Sequence, residues 1–272
     1  CPTAFADSWH RCKQGLAESQ AATAAEVAAA VRVARQETGD DRELEAREAT
    51  AAAVVGSWLK DFVPDLDHEI ARIDTALHDL GFDLSTADVV GQTPKVDARF
   101  EKLCGLIDQL LRTNSKWRDD ERLIVFTEYK TTLDYIVRRL KERYEDERIL
   151  TLFGGGKDGM DENERTAVKR AFNNPAAPVR ILIATDAAAE GLNLQQTARY
   201  LLHFDCPWNP SRLEQRNGRV DRHGQARDVT IFHFVSDQDH DLQFLAHVLK
   251  KAHDIREDLG SANELFDEAA HR

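Results

Sequence analysis

Between residues 123 and 235 the chain alternates short apolar runs with amphipathic stretches. No other feature limits so tightly what it can fold into. The runs are Leu123–Phe126, Ile149–Leu152, Ile181–Ala184, Tyr200–Phe204 and Val229–Val235. Each is short and apolar at successive positions, as a strand buried on both faces must be. Helix-period segments lie between them near 130–144, 161–173 and 209–222, and a last helix is expected at about 239–259. Strands separated by helices build βαβ units, so an α/β fold with a parallel sheet and right-handed crossovers is predicted.

The first third of the chain reads differently. An Ala-rich helix is expected over 14–38, stopped by Gly39-Asp40-Asp41. A second runs from Arg42 to Val63, with Leu44, Val54, Val55, Trp58, Leu59 and Phe62 as its apolar stripe. Pro64 breaks it and opens a third, Asp65 to Leu80, ended by Gly81. A Gly-Gln-Thr-Pro turn at 91–94 marks a boundary, and a helix over Lys95 to Arg112 follows. Three parts result: a helical segment over 1–91, acting as an insertion or platform; an α/β unit over 92–236; and a helical extension over 237–272.

No apolar run approaches the roughly 20 residues that span a bilayer, so no membrane partner is expected. The chain starts Cys-Pro-Thr without an initiator Met, which fits a piece of a longer protein. Its 4 cysteines are scattered singly, as in a reducing, cytoplasmic setting. Cys1, His10 and Cys12 make a weak zinc pattern; plain thiols are the preferred reading, and no metal ligands are assigned. The net charge of -12 is unevenly spread. Residues 1–90 hold 17 acidic against 8 basic side chains, whereas 205–230 hold five Arg against four acids. Local placement of charge decides whether a phosphate backbone can dock, so the acidic total does not exclude nucleic acid.

In open parallel sheets ligands sit at the C-terminal strand ends, and a polar motif follows each run here. Phe126-Thr127-Glu128-Tyr129 follows the first, Phe153-Gly154-Gly155-Gly156 the second, Thr185-Asp186 the third, and Asp205-Cys206-Pro207-Trp208-Asn209-Pro210 the fourth. Gln215-Arg216-Asn217-Gly218-Arg219-Val220-Asp221-Arg222 comes next. Arg219 and Arg222, three residues apart on one helix face, can reach one phosphate together. No G-x-x-x-x-G-K-[ST] loop occurs in the chain. The phosphate-reading half of a nucleotide site is present without the phosphate-cradling half.

In this order and spacing the motifs resemble the C-terminal RecA-like lobe of superfamily-2 helicases, over about residues 92–236. Trp208-Asn209-Pro210 and the closing Gly224-Gln225 narrow the resemblance to the Swi/Snf-type branch; Gly218-Arg219 and Asp221 look most like its RapA-like members. The resemblance implies a RecA-like sheet, and the all-helical segment over 1–91, which matches no motif, precedes it. It implies ATP clamped between this lobe and an N-terminal RecA-like lobe, with Mg²⁺ held on that other lobe. Arg219 and Arg222 would be arginine fingers and Gln215 a sensor of the nucleotide. Asp186, Glu190 and Gly191 would line the nucleotide side. Thr127, Thr185 and Asn193 would touch nucleic-acid backbone, with duplex DNA as the expected track. RapA-like members also remodel a bound protein complex. Two decoys are set aside. Gly154-Gly155-Gly156-Lys157 has Thr151 and Asp158 where a phosphate loop needs Gly and a hydroxyl. Asp267-Glu268-Ala269-Ala270-His271 follows no strand. Trp208 is read as a packing wedge. The alternative function is a degenerate lobe that docks protein or nucleic acid without chemistry; its weakness is that both arginines are intact.

Overall fold

The computed structural model describes residues 1–36, 38, 40–154, 159–189, 193–207, 210–222 and 224–235. Four helices come first: α1 (Pro2–Leu16), α2 (Ala24–Ala34), α3 (Asp41–Leu59) and α4 (Val63–Asp79). Helix α5 (Ala98–Leu111) leads into a hairpin of β1 (Arg112–Thr113) and β2 (Lys116–Trp117). Then come β3 (Leu123–Thr127), α6 (Lys130–Lys141), β4 (Ile149–Leu152), α7 (Glu162–Asn173), β5 (Ile181–Thr185), α8 (Asp186–Ala189), β6 (Tyr200–His203), α9 (Pro210–Asn217) and β7 (Thr230–His233).

Strands β3 to β7 form one parallel sheet in the order β4-β5-β3-β6-β7. Every residue of β3, β5 and β6 is buried, which is why each reads as an unbroken apolar run. Leu123, Val125, Ile181, Ile183 and Leu202 face one side, where they pack with α5 and α6. Ile124, Phe126, Leu182, Ala184 and Leu201 face the other, against Phe172 of α7 and Leu194, Ala198 and Val220. The chain therefore leaves β3 toward one face, and it leaves β5 and β6 toward the other. Loops that part in this way open a crevice at the C-terminal strand ends. Its floor here is Thr127, Thr185 and Asp205.

The helical segment corrects several expectations. The single helix over 14–38 is two helices. Pro2 sits in the first turn of α1, where its missing N–H costs nothing. A Thr23–Glu26 capping box starts α2 afresh. The expected apolar stripe of the second helix is not its packed face. The buried residues of α3 are Asp41, Ala51, Gly56 and Ser57, and Phe62 beyond it is exposed. Small residues win because α1 and α3 cross with their backbones touching. A methyl group on Gly56 would lie 1.9 Å from the Cys12 carbonyl oxygen, and one on Gly15 1.9 Å from that of Ala53. Helix α4 ends as expected at Gly81, whose φ of +97° closes the turn with bonds from Phe82 N to Leu77 O and Gly81 N to His78 O. The helix expected at 239–259 lies outside the described residues.

Candidate functional site

The crevice is organised by one buried cation. Arg216 on α9 is 1% exposed. Its Nε and Nη2 donate to the two carboxylate oxygens of Asp186 at 2.5 and 2.8 Å, and its Nη1 donates to the Asp205 carbonyl at 2.8 Å. The guanidinium also lies 5.7 Å above the Phe126 ring. This is the forked geometry that distinguishes Arg from Lys. Burial alone would lower the Arg216 pKa, but Asp186, Asp205 and Glu128 outweigh it and raise it. Asp205 faces the other way as well. Its carboxylate accepts the Thr127 hydroxyl and, at 2.9 Å, the Glu128 amide. His203 is pushed down to about 3 by burial and by Arg216, so it is a neutral ring; its Nε2 bonds to Asn217 at 3.0 Å. Glu128 is pushed up by burial and by Asp205, although Arg212 pairs with it at 3.1 Å.

A second set of contacts comes from outside the lobe. Asp41, at the start of α3, is 3% exposed and places Oδ2 2.6 Å from the Gly154 amide and 2.7 Å from the Thr185 hydroxyl. One turn on, Glu45 accepts the Thr131 amide and, at 2.5 Å, the Thr131 hydroxyl. Thr131 belongs to the first turn of α6, where N–H groups lack helical partners. Helix α3 thus lies across the rim.

The sequence-predicted residues fall in two places. Thr127 and Thr185 are paired across β3 and β5 at the crevice floor, both buried. Their hydroxyls are bonded to Asp205 and Asp41. Asp186 is there too, as the partner of Arg216. Asn193 and Arg222 come together elsewhere: Arg222 Nη1 donates to Asn193 Oδ1, while Leu194 N bonds to the Arg219 carbonyl at 3.1 Å. Gln215 is exposed on α9. Glu190, Gly191 and Trp208 lie outside the described residues. One correction applies to the arginine pair. The helix expected over 209–222 ends at Asn217, so Arg219 and Arg222 share no helix face. After Gly218, Arg219 N turns to Arg216 O and Val220 N to Asn217 O, three-residue bonds that tighten the last turn and end the helix.

Sequence reasoning gave Arg216 no role. The signal was its spacing: Leu213, Arg216 and Val220 are the buried positions here, so Arg216 occupies an apolar stripe. The contacts of Asp41 and Glu45 had no local signal. Among the described residues no group of three His, Cys, Asp or Glu side chains gathers as a metal would require. In the same residues no helix is long and apolar enough to cross a membrane.

Residues 98–224 match the family model described as the helicase conserved C-terminal domain. An uncharacterized ATP-dependent helicase of Bacillus subtilis, YqhH, is 33% identical over 147 residues, 54% of this chain and 25% of that protein. The RNA polymerase-associated protein RapA of Vibrio campbellii is 36% identical over 125 residues, 46% of this chain and 12% of that protein. The matches thus span a quarter or less of these relatives' length. A solved structure of the C-terminal part of the Fun30 ATPase domain aligns over 81% of this chain and 64% of its own, with a TM-score of 0.45 at 18% identity. Residues 98–224, which hold four of the five sheet strands and the motif-bearing rim, match that helicase C-terminal domain. Over that stretch the chain is similar to part of an ATP-dependent helicase and to part of an RNA polymerase-associated RapA.

Proposed function

We propose that this chain is the C-terminal half of a nucleic-acid translocase that moves on duplex DNA. In this reading Arg219 and Arg222 are arginine fingers for ATP held mainly by an upstream RecA-like lobe. Gln215, Glu190 and Gly191 line the nucleotide side, and Thr127, Thr185 and Asn193 contact the nucleic-acid backbone. Mg²⁺ belongs to the upstream lobe, and no residue of this chain is assigned to it. A protein complex displaced by the moving motor, such as a polymerase, is the proposed target.

The observation that carries this reading is the Asp205–Arg216 junction. Asp205 accepts from the Thr127 hydroxyl and the Glu128 amide on the strand side, while Arg216 reaches it from α9, immediately before the finger arginines. A shift of the loop after β3 therefore pulls on the segment that carries Arg219 and Arg222. Translocation requires this kind of coupling between track and nucleotide. Arg216 is a positioning residue: it holds the finger segment and does not itself meet ATP.

The test joins the chain to its upstream lobe and follows phosphate release with duplex DNA, single-stranded DNA, RNA or no polymer. Duplex DNA is expected to stimulate most. Arg219→Ala is expected to lower the stimulated rate by about 10³-fold or more, the usual worth of such a finger. The 272-residue chain alone is expected to hydrolyse ATP negligibly. Turnover indifferent to both Arg219 and nucleic acid would overturn the reading.

A further inference from the structure

We infer that α3 is a built-in mimic of the nucleic-acid backbone: the Asp41 and Glu45 carboxylates occupy the rim's phosphate-receiving donors until a strand displaces them. This rests on the proposal that the rim takes nucleic acid.

The chemistry of the donors is the starting point. At each of two stations a backbone N–H and a threonine hydroxyl converge on one oxygen: Gly154 and Thr185 on Asp41, Thr131 on Glu45. A neutral amide plus a hydroxyl is the set that binds a phosphate oxygen without reading a base. A carboxylate oxygen offers the same lone pairs and negative charge. Asp41 and Glu45 are four residues apart, so they sit one above the other on a single helix face and meet both stations together.

The contact is not an ordinary salt bridge. In the hydrogen bonds of Asp41 and Glu45 described above, neither carboxylate meets a cation; both are held by neutral donors. Burial, with Glu45, pushes the Asp41 acid up, against the two bonds and the more distant Lys130 charge that pull it down. The next acid along the same helix, Glu48, is raised to about 7 by burial and by Glu128 and Glu45. Several carboxylates are thus crowded toward one acidic crevice. Repulsion among these carboxylates opposes the hold of the donors on Asp41 and Glu45, which favours their release. It also excludes other anions from the donors while no strand is present.

The experiment measures binding of fluorescein-labelled duplex DNA to the 272-residue chain by fluorescence anisotropy. Asp41→Ala/Glu45→Ala is expected to bind at least about tenfold tighter than wild type, a change of about 1.4 kcal/mol. The control Glu43→Ala/Glu69→Ala removes the same charge from exposed positions on α3 and α4 and is expected to change affinity less than about twofold. Adding Thr185→Val to the first pair should abolish the gain. The isosteric pair Asp41→Asn/Glu45→Gln keeps side-chain volume and should shift affinity in the same direction. Hydrogen exchange should quicken at the Gly154 and Thr131 amides while Val125 stays protected. An equal gain in the control would overturn the mimic in favour of bulk charge. Wild-type binding that Thr185→Val weakens, with no gain in either Asp41/Glu45 double variant, would overturn the mimic alone. No binding by any variant would overturn the nucleic-acid reading together with it.

Discussion

Removing Arg216 tests the claim that one cation organises the site. In Arg216→Ala the Asp186 and Asp205 side chains, 21% and 20% exposed, are left facing each other across the vacated space. Breaking a fully buried pair costs about 3–5 kcal/mol. The partial exposure of the two acids favours the lower end of that range. Loss of the contact over Phe126 adds about 0.5–1 kcal/mol. A destabilisation of about 3–4 kcal/mol follows. Arg216→Lys keeps the charge but cannot reach both Asp186 oxygens and the Asp205 carbonyl at once, so about 1–2 kcal/mol is expected. Asp186→Asn/Arg216→Ala removes one orphaned charge and should recover part of the loss, with a coupling of about 1–3 kcal/mol. The assay is urea unfolding of the 272-residue chain followed by circular dichroism. With the upstream lobe restored, Arg216→Lys should leave a folded protein whose nucleic-acid-stimulated ATPase is still impaired. An Arg216→Ala variant within about 0.5 kcal/mol of wild type would refute the reasoning, because no buried charge could then depend on it.

Three further outcomes are expected. Gly56→Ala should destabilise by about 1–2 kcal/mol, because overpacking against the Cys12 carbonyl outweighs the helix-propensity gain. Gly105→Ala, in α5 with nothing within 4 Å of its added methyl, should stabilise by up to about 1 kcal/mol; thermal melts compare the two. Glu48 titrates at about 7 in the fold, above the ordinary value of 4.5, so the folded state keeps a proton that the unfolded chain releases. Stability should therefore fall as pH rises from about 4.5 to 7, and Glu48→Gln should exceed wild type by roughly 1–2 kcal/mol at about pH 8, solvent screening included, and by little near pH 4. Asn193→Ala removes the partner that holds the Arg222 guanidinium; with the upstream lobe restored, kcat at saturating nucleic acid should drop by about tenfold or more with little change in the KM for ATP, by steady-state assay.

The parts of this fold that were legible in the sequence are those that obey a single period. Strands β3, β5 and β6 are buried on both faces, so their apolar runs coincide with their ends within a residue. The start of α5 was placed early, because Asp97 caps it, accepting the Phe100 amide at 3.0 Å. The hairpin of β1 and β2 was missed: its turn puts Asn114 and Ser115 at φ of 49° and 63°, and Asn-Ser is a weaker signal for such a turn than Asn-Gly. Helices α1 to α3 were misjudged because alanine and glycine carry no stripe, yet a backbone-to-backbone crossing needs them. The candidate site divided in the same way. Its motif residues are contiguous, so a linear reading of the sequence picks them out. The contacts that hold them, made by Arg216, Asp41, Glu45 and the motif's own Asp205, span 11 to 144 positions of sequence, where no local pattern reaches.

The crossing of α1 and α3 has a mechanical consequence. Because backbone meets backbone at Gly15 and Gly56, no side chain separates the two helices at those points, and the pair should behave as a stiff beam. Helix α3 alone is about 28 Å long at 1.5 Å per residue. If its Asp41 end is anchored on the rim and tilts by about 10°, the far end sweeps roughly 5 Å over that length. A displacement of a few ångströms at the strand ends would then emerge at the other end of the helical segment as a movement large enough to push on a neighbour. On the proposed function, the first third of this chain would serve as a lever arm hinged on the rim.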